Sequence, residues 1–200
     1  MDIEDRADDR LLIAEIARHD TLALERLYAL YRPRLWRYLW QQLEGDCGAV
    51  EDALQEVFLA VWSTAGAFRG EATVNTWIFR IAHYQVARRQ RSTARRPEGH
   101  LAEVAPPDEL GQSDDTTTEL AQASHEGAVL DRLALSAAFG RLAAKHREAL
   151  ELVYQQGFTH EEVAQILDVP LGTVKSRISY ARRALKRELA LVAREEELSS

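Results

Sequence analysis

The side chains of this sequence with the most chemistry in them are aromatic and basic, and they recur at helical intervals. Trp77, Arg80, Tyr84, Arg88 and Arg91 lie 3, 4, 4 and 3 residues apart, which places them on one stripe of a helix. Arginine supplies phosphate contacts and bidentate contacts to base edges, and an aromatic ring offers a stacking platform worth about 1–3 kcal/mol per unpaired base. That combination suits DNA that is being opened, although half-buried core rings with a polar edge give the same pattern. A second set, Lys175, Ser179, Arg182 and Lys186, repeats the helical spacing near the carboxy terminus. Both sets lie in stretches free of acid, with six arginines in residues 77–96 and six Lys+Arg in residues 169–187. One such run reads equally as a solvated helix face or as a binding surface; two of them, each tied to a local pattern, are harder to dismiss as solvated faces.

The elements that must position these residues are helices. From about residue 9 to 95 no two-residue alternation is long enough for a strand, and apolar residues recur every three or four positions, so three or four helices are expected. In one of them Leu54, Val57, Phe58, Val61 and Trp62 share a stripe, and Asp52, Gln55 and Glu56 lie opposite as an ordinary polar face. In the next, Ile78, Ile81, Ala82 and Val86 can face the core behind the aromatic and basic stripe. Residues 66–75, rich in glycine and small polar side chains, are expected to form an exposed loop leading into that helix.

The strongest local signal spans residues 157–189. Thr159 and Glu162 have the spacing of a capping box, in which the Thr hydroxyl and the Glu carboxylate satisfy amides at a helix start. A short helix is expected to run to about Leu167, with Val163, Ala164, Ile166 and Leu167 on its apolar side. Pro170 cannot continue that helix but is tolerated where the next begins. The second helix keeps Val174, Ile178, Ala181, Leu185 and Leu189 on one stripe and the basic set on another. This is the plan of a helix-turn-helix, whose second helix lies in the major groove, against which stands an ordinary helical hairpin.

Composition sets the frame. With 200 residues, 46% of them hydrophobic and 28% charged, the chain is an ordinary folded one. Its net charge of -7 resides in the middle: residues 96–130 carry 1 Lys+Arg against 8 Asp+Glu, while the flanks are close to neutral. This Pro-, Ser- and Thr-rich segment buries too little apolar surface to offset its ordering entropy and is expected to be an acidic flexible linker. The fold class that follows is all-α, with two small helical domains at residues 1–95 and 131–200. The longest apolar run is six residues, 57–62, far short of the roughly 20 of a membrane span, and the acidic start does not suit a signal peptide; no membrane insertion and a cytoplasmic location are expected. A lone cysteine, Cys47, excludes an internal disulfide and a cysteine-rich zinc site, and near a helix start it is a packed or incidental residue before it is a redox sensor. His19, His83, His100, His125, His146 and His160 are scattered, with no pair at helical ligand spacing and no Gly-rich phosphate loop. No catalytic residue, metal or cofactor is expected.

With both blocks in view, the chain resembles the extracytoplasmic-function sigma factors, group IV of the sigma-70 family, over about residues 8–190. Three stretches carry the resemblance. EDALQEVF at 51–58 resembles the family's clamp-binding helix, and FRGEATVNTWIFRIA at 68–82 its promoter-melting loop and following helix. GFTHEEVAQIL at 157–167 with GTVKSRI at 172–178 resembles its upstream-element reader. The third alone would be shared with other helix-turn-helix regulators; all three in this order are specific.

What the resemblance implies is a dissociable, non-enzymatic subunit of RNA polymerase. A sigma-2-like domain and a sigma-4-like domain would recognise the minus-ten and minus-thirty-five promoter elements and direct transcription initiation to a specific regulon. Asp52, Gln55 and Glu56 would bind the clamp coiled coil of the largest subunit of core RNA polymerase, and the second domain would meet the flap of the second-largest. Phe68, Arg69 and Asn75 belong to the loop that would hold a flipped base of promoter DNA, with Trp77, Arg80, His83 and Tyr84 lining the surface beside it. Arg88 and Arg91 extend that stripe. Lys175, Ser176, Arg177, Ser179 and Tyr180 match positions facing the upstream element, and Thr173, Arg182 and Arg183 are phosphate contacts. The linker would thread the RNA-exit path, and an anti-sigma factor would hold the free protein. Ala49 stands where relatives often have an acid capping the clamp-binding helix, so that helix is expected to start at Asp46 or Gly48. Tyr84 stands where many carry Asn.

Two rival classes remain. A polymerase-independent helix-turn-helix regulator would use only residues 131–190 on DNA and predicts dimers on palindromic operators; the Trp/Tyr/Arg stripe of the front block is surplus to it. A small helical enzyme or metalloprotein would need ligand spacings that the histidines do not offer.

Overall fold

The computed structural model describes residues 3–94 and 139–199; the expected acidic linker, residues 96–130, lies outside the described residues. Among the described residues every regular element is helical, as the spacing of apolar residues implies.

Four helices build the front part: α1 (Ile3–Ile16), α2 (Thr21–Gln42), α3 (Cys47–Thr64) and α4 (Val74–Ala94), with a single 3-10 turn at Ala65–Ala67. The starts of α2 and α3 have a physical cause. The Asp20 carboxylate accepts from the amides of Leu22 at 2.8 Å and Ala23 at 3.3 Å, capping α2. Asp46 does the same for α3 through the Ala49 amide at 3.1 Å, so of the two expected starts it is Asp46 that sets the helix. Cys47, in the first turn of α3, is exposed, with its thiol 3.9 Å from a Glu51 carboxylate oxygen. The turn between α2 and α3 needs left-handed backbone at Glu44 and Gly45; a Cβ on Gly45 would come within 3.1 Å of the Trp40 ring.

Helix α2 runs through Pro33, which lacks an amide to donate to the preceding turn. It persists because its other side is buried for its whole length: Ala23, Leu27, Tyr31, Leu35, Tyr38 and Leu39. Pro33 itself is exposed, so the backbone acceptor it leaves open faces the wet side. From α3 the core receives Val50, Ala53, Leu54, Val57, Phe58 and Val61, and from α4 Val74, Ile78, Phe79, Ala82 and Val86. Helices α3 and α4 pack on each other, and α2 packs on α1, α3 and α4. Tyr38 and Phe79 meet at 5.5 Å between ring centroids and Tyr28 and Phe58 at 4.8 Å. Each fully buried aliphatic or Phe side chain stabilises the bundle by about 1.5–3 kcal/mol. Two expected core residues, Trp62 and Ile81, are half-buried, and Phe79 is the buried ring that the stripe assignment overlooked.

In the carboxy-terminal part, α5 (Ala144–Leu150) continues into one π-helical turn (Glu151–Gln155), followed by α6 (His160–Leu167) and α7 (Leu171–Ser199). Helix α5 packs along α7. Helix α6 ends where the sequence said it would, at Leu167, and Asp168 follows in left-handed backbone, which a short polar side chain tolerates. The Pro170 carbonyl accepts from the amides of Thr173 at 2.9 Å and Val174 at 3.2 Å, so the proline sits just ahead of α7, where its missing amide costs nothing. Val163, Ile166 and Leu167 are buried, as are Val174, Ile178 and Ala181 of α7.

Candidate nucleic-acid interface and docking face

The aromatic and basic stripe of α4 is a surface. Tyr84 is 59% exposed, and Arg80, Arg88 and Arg91 are exposed, while Ile78, Phe79 and Ala82 behind them have no solvent contact. Trp77 differs from the rest of its stripe: it is half-buried, and its ring packs on Phe68 with centroids 5.0 Å apart and planes tilted by 47°. Phe68 thereby pins the preceding loop to the first turns of α4. His83 lies half-buried beside the stripe.

That loop is shorter than the sequence suggested. Residues 66–75 were expected to be exposed loop, but α4 begins at Val74, so Val74 and Asn75 belong to the helix and are buried. The cause is Thr73: its hydroxyl accepts from the Thr76 amide at 3.1 Å and its carbonyl from the Trp77 amide at 3.0 Å, which makes it the helix cap. Arg69 and Glu71 remain exposed at the tip. Gly70, with φ +73°, supplies the left-handed turn there, and its carbonyl accepts from Arg10 of α1 at 3.5 Å.

Asn75 is directed inwards. Its amide oxygen accepts from Arg34 Nη1 at 3.2 Å, and the Arg34 guanidinium lies over the Phe79 ring, 5.4 Å from its centroid. Burial pushes the Arg34 pKa down and the nearby Arg37 adds to this, while Tyr31 and Asp9 work against it. Asp9, buried, accepts a hydrogen bond from the Tyr31 hydroxyl. A polar cluster on α1, α2 and α4 thus lies under the start of α4. Sequence reasoning missed it, yet a signal existed: Asp9 precedes Ile13 and Ile16 by 4 and 7 residues, so an acid stands on the apolar stripe of α1.

The polar face of α3 is also where it was expected, with Asp52 and Gln55 exposed and Glu56 half-buried. It is not left to solvent. Arg89 of α4 reaches across, its Nη2 2.9 Å from Glu56 Oε1 and its Nη1 3.8 Å from Asp52 Oδ2.

On α7, Lys175, Ser176, Arg182 and Arg183 are exposed and Thr173, Arg177 and Ser179 half-buried. The Ser176 hydroxyl donates to the Thr173 carbonyl at 3.0 Å, which leaves its oxygen lone pairs available as acceptors. Tyr180 is 52% exposed, with its ring 4.3 Å from the ring of buried His146 on α5. The histidine is therefore a packing partner of α7. Among the described residues no group of His, Cys, Asp and Glu is arranged to hold a metal ion, and no helix is long and apolar enough to cross a membrane.

Comparison with known proteins matches this layout. Residues 27–96 match the family model for Sigma-70 region 2, and residues 138–187 that for Sigma-70, region 4. Over 175 residues the chain is 30% identical to the ECF RNA polymerase sigma factor SigL of Mycobacterium tuberculosis, covering 87% of this chain and 93% of that protein. Among solved structures, its fold is similar to CnrH in complex with the cytosolic domain of CnrY, with a TM-score of 0.63 at 22% identity over 92% of this chain and 98% of the other. It is also similar to the sigma factor RpoE of Bartonella quintana, solved in complex with the anti-sigma factor NepR, with a TM-score of 0.56 at 24% identity over 83% and 96%.

Proposed function

We propose a division of labour among three surfaces of a chain that belongs to the ECF RNA polymerase sigma factors. The protein is an alternative sigma factor: it binds core RNA polymerase, recognises the minus-ten and minus-thirty-five elements of promoter DNA and directs initiation to a particular promoter set. Its family consists of transcription regulators rather than enzymes.

Asp52, Gln55 and Glu56 of α3 dock on the clamp coiled coil of the largest polymerase subunit, a role that suits their acidic, outward placement. Tyr84, Arg80, Arg88 and Arg91 of α4 engage the opened minus-ten element, the ring stacking on a base and the guanidinium groups on phosphates. Phe68 and Arg69 act from the loop, with Trp77 and His83 beside them. Asn75 ties the first turn of α4 to α2 through Arg34 instead of reaching out to a base. Lys175, Ser176, Arg177, Ser179 and Tyr180 read the minus-thirty-five duplex, with Thr173, Arg182 and Arg183 on its phosphates. The carboxy-terminal helices also meet the flap of the second-largest subunit. An anti-sigma factor restrains the free protein in the cytoplasm, as NepR binds RpoE of Bartonella quintana.

The observation that supports this division most is the exposure of Tyr84 with three arginines on a helix whose opposite side is fully buried. Neither basic surface is large enough for tight binding alone; held on one polymerase, each raises the effective concentration of the other at correctly spaced elements. Run-off transcription on sheared genomic DNA with core polymerase, with and without the protein, tests it. New starts sharing two upstream elements at fixed spacing, lost in Asp52→Ala and Tyr84→Ala variants, are the expected result. Starts retained in both variants would remove those residues from their roles.

A further inference from the structure

We propose that Arg89 is an intramolecular competitor for the acidic face of α3, occupying Glu56 and Asp52 much as a basic partner would and so limiting how tightly that face docks. The inference rests on the reading of this face as the polymerase-docking surface.

Helix α3 carries three acids, Glu51, Asp52 and Glu56, and no lysine or arginine, so its own sequence supplies no counter-charge. The counter-charge comes from α4. There Arg88 and Arg91 are exposed, while Arg89, about 100° round the helix from Arg88, turns towards α3. Its side chain is 25% exposed, against 38% for Glu56 and 70% for Asp52, so the arginine is the most covered of the three. At 2.9 Å the contact with Glu56 is a charge-assisted hydrogen bond; at 3.8 Å the contact with Asp52 is charge screening without a hydrogen bond.

A carboxylate has about four lone-pair sites, so Glu56 paired with Arg89 can still accept from outside. An incoming basic side chain, however, meets a positive charge just beneath its target and a face whose negative potential is already reduced. Removing that charge should strengthen attraction to a basic partner and quicken encounter. This sign separates the proposal from a purely structural role for Arg89, because damage to the bundle can weaken docking but cannot tighten it.

The test is the affinity of the full chain for core RNA polymerase, measured by fluorescence anisotropy across a salt series. Arg89→Gln and the shape-conserving Arg89→Met should each bind about three-fold tighter at low salt, with the gain fading as screening grows. Arg89→Lys, which keeps the charge, should stay near wild type, and the gain should shrink in a Glu56→Gln background. Equal or weaker binding by a folded Arg89→Gln or Arg89→Met overturns the proposal, as does failure of both neutral variants to fold. If the wild-type chain does not bind core at all, the docking reading fails first and takes this inference with it. Binding that is lost in Asp52→Ala but indifferent to Arg89 leaves the docking reading standing and overturns the competitor alone.

Discussion

Helices α4 and α7, the two proposed to face DNA, are mounted differently. Helix α4 presents a large aromatic ring and three arginines on a four-helix core, with a polar cluster of buried Asp9, Tyr31 and Asn75 and half-buried Arg34 beneath its first turns. Helix α7 presents small hydroxyls, a lysine and arginines close after a three-residue turn, and its exposed aromatic, Tyr180, leans on one histidine. Pulling a base out of a stack costs a few kcal/mol, so a surface that traps it must not yield. Reading the edges of an intact duplex asks only that a helix start be held at the groove. On the proposed roles, the contrast teaches that support scales with the deformation a surface must impose on its ligand.

Four predictions break or sharpen that contrast. The largest effect is expected from Phe79→Ala, which empties the core behind the α4 stripe and should cost about 3–5 kcal/mol in denaturant unfolding; a loss below about 1 kcal/mol would mean that α4 is not so firmly bedded. Next, Asn75→Ala deprives a half-buried guanidinium of one acceptor and should cost about 1–3 kcal/mol of stability, with weaker promoter opening followed by permanganate reactivity. An unchanged opening rate would detach the polar cluster from the loop it underlies.

The sharpest comparison pairs Tyr84→Ala with Lys175→Ala. Each should lose about 1–3 kcal/mol of promoter affinity in the holoenzyme without changing the stability of the fold. A template carrying a pre-melted minus-ten bubble should rescue Tyr84→Ala and leave Lys175→Ala defective. Equal rescue of both would erase the distinction between a melting and a reading helix. The smallest effect belongs to Asp46→Ala, about 1 kcal/mol from the lost cap of α3, with fraying confined to the first turn and visible by amide hydrogen exchange.

Much of this was legible in the sequence, for reasons that can be named. The break at Asp168 to Pro170 follows from proline chemistry, and the outward stripe of α4 follows from 3.6-residue periodicity. The start of α3 at Asp46 follows from which side chains can accept an amide. Asn75 was not legible, because an asparagine among glycines and small residues has the composition of a loop and only the Thr73 cap draws it into a helix. Arg89 was not legible either. Periodicity says which way a residue leaves its own helix, but a guanidinium on a long stem finds its partner on another, and no spacing in α4 encodes Glu56. The turn at Glu151–Gln155 escaped for a related reason: a π turn differs from an α turn by one hydrogen-bond step, which depends on packing.

The exposed thiol of Cys47 has a practical use. Being the chain's only cysteine, and lying at the first turn of α3 a few residues before Asp52, it accepts a maleimide dye in the unmutated protein at one known position. A dye there reports on the local surroundings of the acidic face while leaving Asp52, Gln55, Glu56 and Arg89 untouched. The wild-type chain thus comes with its own optical gauge of whatever covers that face.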